Sequence, residues 1–118
     1  MPTDSEMKQR MILDLIASSQ QAYRLHAFLV LNGGDPQQAE KAGRQSDELD
    51  DTIDNLLAQT MAVWSAAASK SVKDVRRLSA DVKAAVADIE RRVGQAQRIV
   101  EALGYVDKLI ELAATFMV

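Results

Sequence analysis

The chain has 118 residues, no cysteine and a formal net charge of −3, and alanine and leucine are prominent in it. This length suits one small domain and the composition favours helices, so we expect a single all-α domain over residues 1–118. The absence of cysteine excludes disulfides, thiolate metal sites and cysteine nucleophiles, and the negative charge argues against a general nucleic-acid-binding surface.

The first predicted helix spans about residues 4–31. Thr3 is a suitable N-cap residue, and Glu6 follows at the capping-box spacing. Apolar and small residues then recur at alternating steps of three and four, which predicts a buried stripe along the helix. The members of this stripe are Met7, Met11, Leu15, Ser18, Ala22, Leu25 and Leu29. We expect a parallel row to widen the same stripe, and this row comprises Ile12, Ile16, Tyr23 and Val30.

The stretch LNGGDPQQ, residues 31–38, contains the only pair of adjacent glycines in the chain. Gly33 suits the left-handed residue that ends a helix, while Asp35 and Pro36 suit the N-cap and the first position of the next helix. No strand pattern and no phosphate-binding glycine motif accompany these residues. We therefore expect a helical hairpin, with residue i of the first helix beside about residue 68 − i of the second.

The second predicted helix covers about residues 36–68, and the third covers about 72–103. A turn is expected near 69–71, because the apolar pattern breaks there. The third helix carries nine apolar positions in one register, which predicts a stripe buried along its whole length. These positions are Val75, Leu78, Val82, Val86, Ile89, Val93, Ala96, Val100 and Leu103. Acidic residues dominate the second helix and basic residues the third, so we expect these two helices to lie antiparallel and side by side.

The last segment, about residues 105–117, is predicted to be a short C-terminal helix or a helical extension. Gly104 is placed to end the third helix, yet apolar residues continue the same alternation beyond it. A bend, a break and a straight continuation all stay open, and a fold-back at Gly104 would complete a four-helix core. The expected fold is thus an antiparallel all-α bundle of three long helices with this shorter segment.

Two apolar segments, 25–31 and 105–118, are expected at one end of the bundle. The hairpin neighbour of the first is the polar stretch PQQAEKAGRQ, which offers little apolar cover. We therefore expect the two segments to bury each other or a partner, and we name seven interaction residues. These are Leu25, Phe28, Leu31, Tyr105, Leu109, Leu112 and Phe116.

The patterns needed for catalysis or metal binding do not occur. His26 is the only histidine and has no Glu-x-x-His partner motif, and the acidic run of the second helix lacks the glycine turn of a calcium loop. No serine or threonine is accompanied by a cysteine or histidine base pattern. We expect no enzymatic activity, no cofactor, no metal site and no small-molecule substrate.

The sequence favours a non-catalytic helical bundle that works through protein–protein interaction, as an adaptor, scaffold, inhibitor or secretion-associated partner. A homodimer through the apolar end is its simplest form. The alternative is a membrane-surface or pore-forming protein that uses the C-terminal segment, although Lys108 is the only basic residue there. No signal peptide or membrane span is recognised, so a cytoplasmic location is expected, with non-classical secretion open and no nucleic-acid partner.

Overall fold

The computed structural model describes residues 3–59 and 71–115, and every regular element in these two ranges is an α-helix. The all-α prediction is therefore confirmed. The helices are α1 (Asp4–Leu31), α2 (Pro36–Ala58), α3 (Val72–Glu90) and α4 (Gln95–Ala114). The second helix was predicted to run to about residue 68, but α2 ends at Ala58 and Gln59 takes an extended conformation. Residues 60–68, and the predicted end of the last segment at 116–117, lie outside the described residues.

The predicted hairpin joint between α1 and α2 is confirmed. Gly33 adopts the left-handed conformation with φ of 68°, and the amide of Gly34 donates to Leu29 O at 2.8 Å, which closes the last turn of α1. Asp35 then caps α2, since its Oδ1 accepts a hydrogen bond from the Gln37 amide at 2.8 Å. The joint therefore serves as a helix stop followed by a helix start.

The two helices of this hairpin pack in the predicted register. Ser46 Oγ donates to Ser19 O at 3.2 Å, and Lys8 Nζ donates to Gln59 O at 2.7 Å nearer the other end. Both pairs fall within a few residues of the 68 − i relation. The predicted stripe of α1 faces the core, with six of its members buried: Met11, Leu15, Ser18, Ala22, Leu25 and Leu29.

The boundary predicted between the third and fourth helices is wrong. The sequence indicated one helix over about 72–103, whereas α3 ends at Glu90. Gly104, the predicted breaking point, lies inside α4, which is 20 residues long rather than a short extension. Two of the positions assigned to the buried stripe, Val93 and Val100, are 59% and 62% exposed. The regular apolar spacing therefore spans a turn and two separate helices.

Backbone hydrogen bonds close α3 before this turn. The Val93 amide donates to Asp88 O at 2.9 Å, and the Arg92 amide donates to Ile89 O at 3.0 Å. This pair of bonds defines a Schellman ending, in which Arg92 occupies the left-handed position usually taken by glycine, with φ of 62°. Gly94 is also left-handed, with φ of 57°, and it precedes the first residue of α4. Two left-handed residues so close together reverse the chain direction.

This reversal determines which helices become neighbours. α1 lies beside α2 and α3, and α4 lies beside the same two helices, so that α2 and α3 occupy opposite corners. The expected side-by-side pairing of the acidic second helix with the basic third is therefore wrong for the described residues. α1 and α3 run parallel, as shown by two contacts at different heights: Ser79 Oγ donates to Asp14 O, and Arg24 Nε donates to Glu90 Oε2.

A buried polar contact joins α2 to α4 beside the shared apolar core. Gln45 is 3% exposed, and its Nε2 donates to Leu103 O and to Asp107 Oδ1, both at 2.8 Å. Lys41 Nζ lies 2.9 Å from the other oxygen of Asp107. Burial by itself raises the pKa of Asp107, but the hydrogen bonds from Lys41 and Gln45 outweigh it and leave that pKa below its ordinary value.

Two glycine substitutions test the position of the chain reversal. We expect Gly94→Ala to destabilise the fold by about 1–2 kcal/mol, because an alanine resists the left-handed conformation. Gly104→Ala should instead stabilise it by about 0.5–1 kcal/mol, since alanine is the better residue inside a helix and an added Cβ meets no atom within 4 Å. Urea unfolding followed by circular dichroism measures both. If Gly104→Ala lowered the free energy of unfolding and Gly94→Ala left it unchanged, the helix break would instead lie at Gly104.

Candidate interaction surface

The structure does not bring the six described members of the seven predicted interaction residues together on one surface. On α1, Leu25 is 1% exposed, Phe28 is partly buried and Leu31 is 83% exposed. On α4, Leu109 is fully buried, while Tyr105 and Leu112 are partly buried against the core. Phe116 lies outside the described residues. A role in an interaction stays a prediction for each of these residues, but they do not form one shared surface in the described part of the chain.

The chain reversal explains this separation. α4 begins at the end of the bundle where α1 ends, and its later residues lie progressively farther from that end. Leu112 accordingly lines a groove with Asp74 and Leu78, near the start of α3. The predicted apolar end required residues 105–118 to start beside Leu31. That placement depended on a third helix that continued to about residue 103.

Small residues of α2 cover the inner face of the apolar end of α1, while Val30 and Leu31 stay exposed. Ala39 and Ala42 are 5% and 0% exposed, so this part of α2 packs closely against its neighbours despite its polar composition. His26 of α1 packs over Gly43, where an added Cβ would come within 3.1 Å of the imidazole Nδ1. The same Nδ1 lies 2.6 Å from Ala39 O, within hydrogen-bonding distance. The only histidine is therefore held inside the hairpin.

The outward face of α1 carries a second, mainly apolar stripe, most of which the core leaves exposed. We call it the outer stripe, and it comprises Gln9, Leu13, Ile16, Gln20, Tyr23, Ala27 and Val30. Three of its apolar members, Leu13, Tyr23 and Val30, are 65%, 62% and 59% exposed. None of the seven residues is charged, and their steps alternate between four and three residues, as in one helix of a coiled coil.

Sequence reasoning assigned part of the outer stripe to the core. The row predicted to widen the buried stripe is only partly buried. Ile12 is 8% exposed and Ile16 packs partly against the core, whereas Tyr23 and Val30 are exposed. The sequence does contain the pattern of an exposed apolar row. α1 has two rows with the same alternation, and a helix at the corner of a four-helix bundle buries only one of them. Choosing between the rows required knowing that α4 lies diagonally opposite α1.

Acidic residues border the outer stripe on its α2 side. A shallow groove of about 370 Å³ runs between α1 and α2, and its lining includes Tyr23 and Asp50. Asp50 Oδ1 accepts a hydrogen bond from Ser19 Oγ at 2.6 Å, which holds this carboxylate against α1. Asp47 and Asp54 lie three residues before and four after Asp50, so they share its helix face. This edge is therefore negatively charged.

Basic residues border the outer stripe on its α3 side. A second groove, of about 420 Å³, runs between α1 and α3, and its lining includes Arg76, Lys83 and Asp14. Asp14 Oδ2 is buried there and accepts no hydrogen bond from the described residues. Burial raises the pKa of Asp14 above its ordinary value, and the charges of Arg10 and Arg76 only partly offset this rise. The outer stripe thus runs between an acidic edge and a mainly basic edge.

Replacement of Asp14 tests the electrostatics of this second groove. Because the pKa of Asp14 is higher in the folded chain, the ionised carboxylate opposes folding at neutral pH. This penalty is absent below the ordinary pKa of 3.8, where Asp14 is protonated in both states, and it grows as pH rises through the folded-state pKa. We expect Asp14→Asn to raise the thermal unfolding midpoint at pH 7, with the gain disappearing below pH 3.8. Asp51→Asn, at an exposed position, is the charge-matched control. A variant less stable than the parent at pH 7 would contradict the prediction.

Neither the described residues nor comparison with known proteins indicates a specific ligand or reaction for this surface. Residues 3–59 and 71–115 contain no group of three or more histidine or acidic side chains arranged to hold a metal ion. No family model, curated protein or solved structure matches the chain. The outer stripe and its two charged edges are therefore the features that indicate a function.

Proposed function

We propose that this chain is a non-catalytic helical-bundle protein that acts through protein–protein contact, as an adaptor, scaffold, inhibitor or secretion-associated partner. The outer stripe of α1 is the contact surface. The observation that carries the proposal is the grouping of exposed apolar side chains on one helix. Isolated apolar residues are ordinary on a protein surface, whereas an aligned and uncharged set is typical of an interaction site.

Exposure in the described residues is concentrated on α1. Four of the seven exposed large apolar side chains belong to that helix: Leu13, Tyr23, Val30 and Leu31. The other three, on α2, in the turn before α4 and on α4 itself, are Leu57, Val93 and Val100. A partner helix that packed along α1 would cover a continuous strip of about 33 Å, taking 22 residues from Gln9 to Val30 at 1.5 Å each.

A helical partner fits this strip better than a small molecule does. Ligand sites are concave and enclose most of their ligand, whereas both grooves beside the outer stripe are partly open to solvent. Alternation of steps of three and four is the geometry by which one helix accepts the side chains of another. The polar members, Gln9 and Gln20, offer side-chain amides that can hydrogen-bond across such a contact.

The membrane alternative receives less support from the same features. Helices that bind bilayers from the surface usually have a polar face rich in lysine and arginine, whereas one edge of the outer stripe is acidic. Apolar residues of the C-terminal helix that the alternative would insert into lipid, Val106, Leu109 and Ala113, are buried in the core. Within residues 3–59 and 71–115, no helix is long and apolar enough to span a bilayer.

Site-specific photocrosslinking tests the proposed function. The chain carries p-benzoylphenylalanine in place of Tyr23 or Leu13, and it is expressed in the cells that naturally produce it. We expect discrete protein adducts at both positions, because a bound partner lies within reach of the outer stripe. The matched control carries the same probe at Ala84, an exposed position in the middle of α3.

Two outcomes would overturn this proposal. One is the absence of any adduct specific to positions 13 and 23, with the same products at position 84. The other is crosslinking of these positions to lipid alone, which would favour the membrane alternative. Circular dichroism of each purified variant checks that the bundle has folded.

A further inference from the structure

We infer that the partner of the outer stripe is a second copy of this chain, bound with the two α1 helices parallel about a twofold axis. This inference rests on the proposed function and specifies its partner. It follows from three features of α1 considered together: the register of the outer stripe, the residues that flank it and the charges on its two edges. Taken together, they are complementary to a second copy in the parallel orientation.

The outer stripe has the register of a coiled-coil helix. In the heptad notation abcdefg, Leu13, Gln20 and Ala27 occupy a positions, and Ile16, Tyr23 and Val30 occupy d positions. Two copies aligned in parallel place each of these residues beside its own counterpart. Gln20 then faces Gln20 of the second copy, where the two side-chain amides can hydrogen-bond. A polar residue at a single a position is known to specify the register of such pairs.

The flanking e positions of α1 lie on the basic edge. Arg24 is an e residue, and its side chain is directed toward α3, where its Nε contacts Glu90 Oε2 at 2.8 Å. Arg10 is the e residue two heptads earlier, and it acts on the same Asp14 carboxylate as Arg76 of α3. Both e-position arginines therefore lie between the outer stripe and α3.

The g positions of α1 lie on the acidic edge. Ser19 is a g residue, and it holds the Asp50 carboxylate of α2 at 2.6 Å. α2 thus provides the negative charge at a position where α1 itself has a neutral hydroxyl. Because Asp47 and Asp54 share the face of Asp50, the negative charge extends along this edge.

These edges favour the parallel orientation over the antiparallel one. In a parallel pair, each g position faces the e position five residues later in the other helix, so Ser19 with its bound Asp50 faces Arg24 of the second copy. An antiparallel pair brings e positions to e positions and g positions to g positions. Arginine then faces arginine and Asp50 faces Asp50, which is repulsive on both sides. The parallel pair also covers Leu31, an e residue that is 83% exposed in the single chain.

Disulfide trapping tests both the partner and the orientation, and the natural absence of cysteine makes single-cysteine variants clean probes. Leu13→Cys, at an a position, and Val30→Cys, at a d position, lie about 26 Å apart along the helix. In a parallel pair each variant forms a disulfide-linked dimer with itself under mild oxidation. In an antiparallel pair, where a positions face d positions and Gln20 faces Tyr23, neither variant does so, and a mixture of the two forms the mixed dimer instead. A disulfide requires Cα atoms within about 7 Å, so the two patterns do not overlap.

Further controls separate a specific pair from random collision. Ala84→Cys, at an exposed position of α3, should stay monomeric. Sedimentation equilibrium of the parent chain should give a mass that rises with concentration toward twice 12.9 kDa. Mixed dimers without self-dimers would overturn the parallel orientation, and equal crosslinking at position 84 would overturn the specific contact.

Charge reversal provides a second test of the orientation. Arg24→Glu should weaken dimerisation by roughly tenfold or more, because two symmetry-related ion pairs are lost and each contributes up to about fivefold. Adding Asp50→Lys to this variant should restore part of the affinity, since the two charges are exchanged across the contact. Arg77→Glu changes the net charge equally at an exposed position of α3 and should leave dimerisation unchanged. Equal weakening by Arg24→Glu and Arg77→Glu, with no restoration by Asp50→Lys, would overturn the proposed contact between the e and g edges.

Failure of this inference is distinguishable from failure of the proposed function. A chain that stays monomeric at all concentrations, but gives photocrosslinked adducts with a different protein at positions 13 and 23, overturns the second-copy partner alone. A chain that gives no adducts at those positions and no cysteine-trapped dimers overturns both.

Discussion

The chain reversal between α3 and α4 is the constraint on which the rest of the structure depends. Two left-handed residues, Arg92 and Gly94, turn the chain back on itself, and the amide bonds to Asp88 and Ile89 fix where α3 ends. α4 can then pack along the whole bundle rather than extend from its end. This geometry gives α4 its place diagonally opposite α1 and fills the centre with residues from all four described helices. Fully buried examples include Leu15, Leu49, Val82 and Leu109.

The diagonal arrangement also determines which surfaces stay uncovered. A corner helix in a four-helix bundle buries the face directed at its two neighbours and the centre, and leaves the opposite face to solvent. α1 carries apolar residues on both faces, so packing of the core satisfies one row and leaves the outer stripe exposed. The polar start of α2 does not compensate on that side, because it approaches α1 through alanine and glycine and lies along the inner hairpin face.

Charge follows the same geometry. Because α2 and α3 occupy opposite corners, the acids of one do not neutralise the bases of the other directly, and each helix presents its charge beside α1. Two polar contacts join neighbouring helices: Gln45 joins α2 to α4, and Ser19 holds Asp50 at the edge of the hairpin. The result is an uncharged stripe between two oppositely charged edges, an asymmetry that favours one orientation of a partner helix over the other.

The sequence by itself determined the features that depend on neighbouring residues. The cap at Thr3, the stop at Gly33 and the start at Asp35 were predictable because each uses hydrogen bonds or conformations within a few residues. The hairpin register and the inner row of α1 followed from this short joint. Only the tertiary structure decided where the third helix ends. Arg92 takes a left-handed conformation that is uncommon for arginine, and the apolar spacing continues through the turn, so neither feature marks the end of α3 in the sequence. The candidate surface depended on that same decision: two rows of α1 have equal periodicity, and the packing of α4 against α2 and α3 determines which row the core buries.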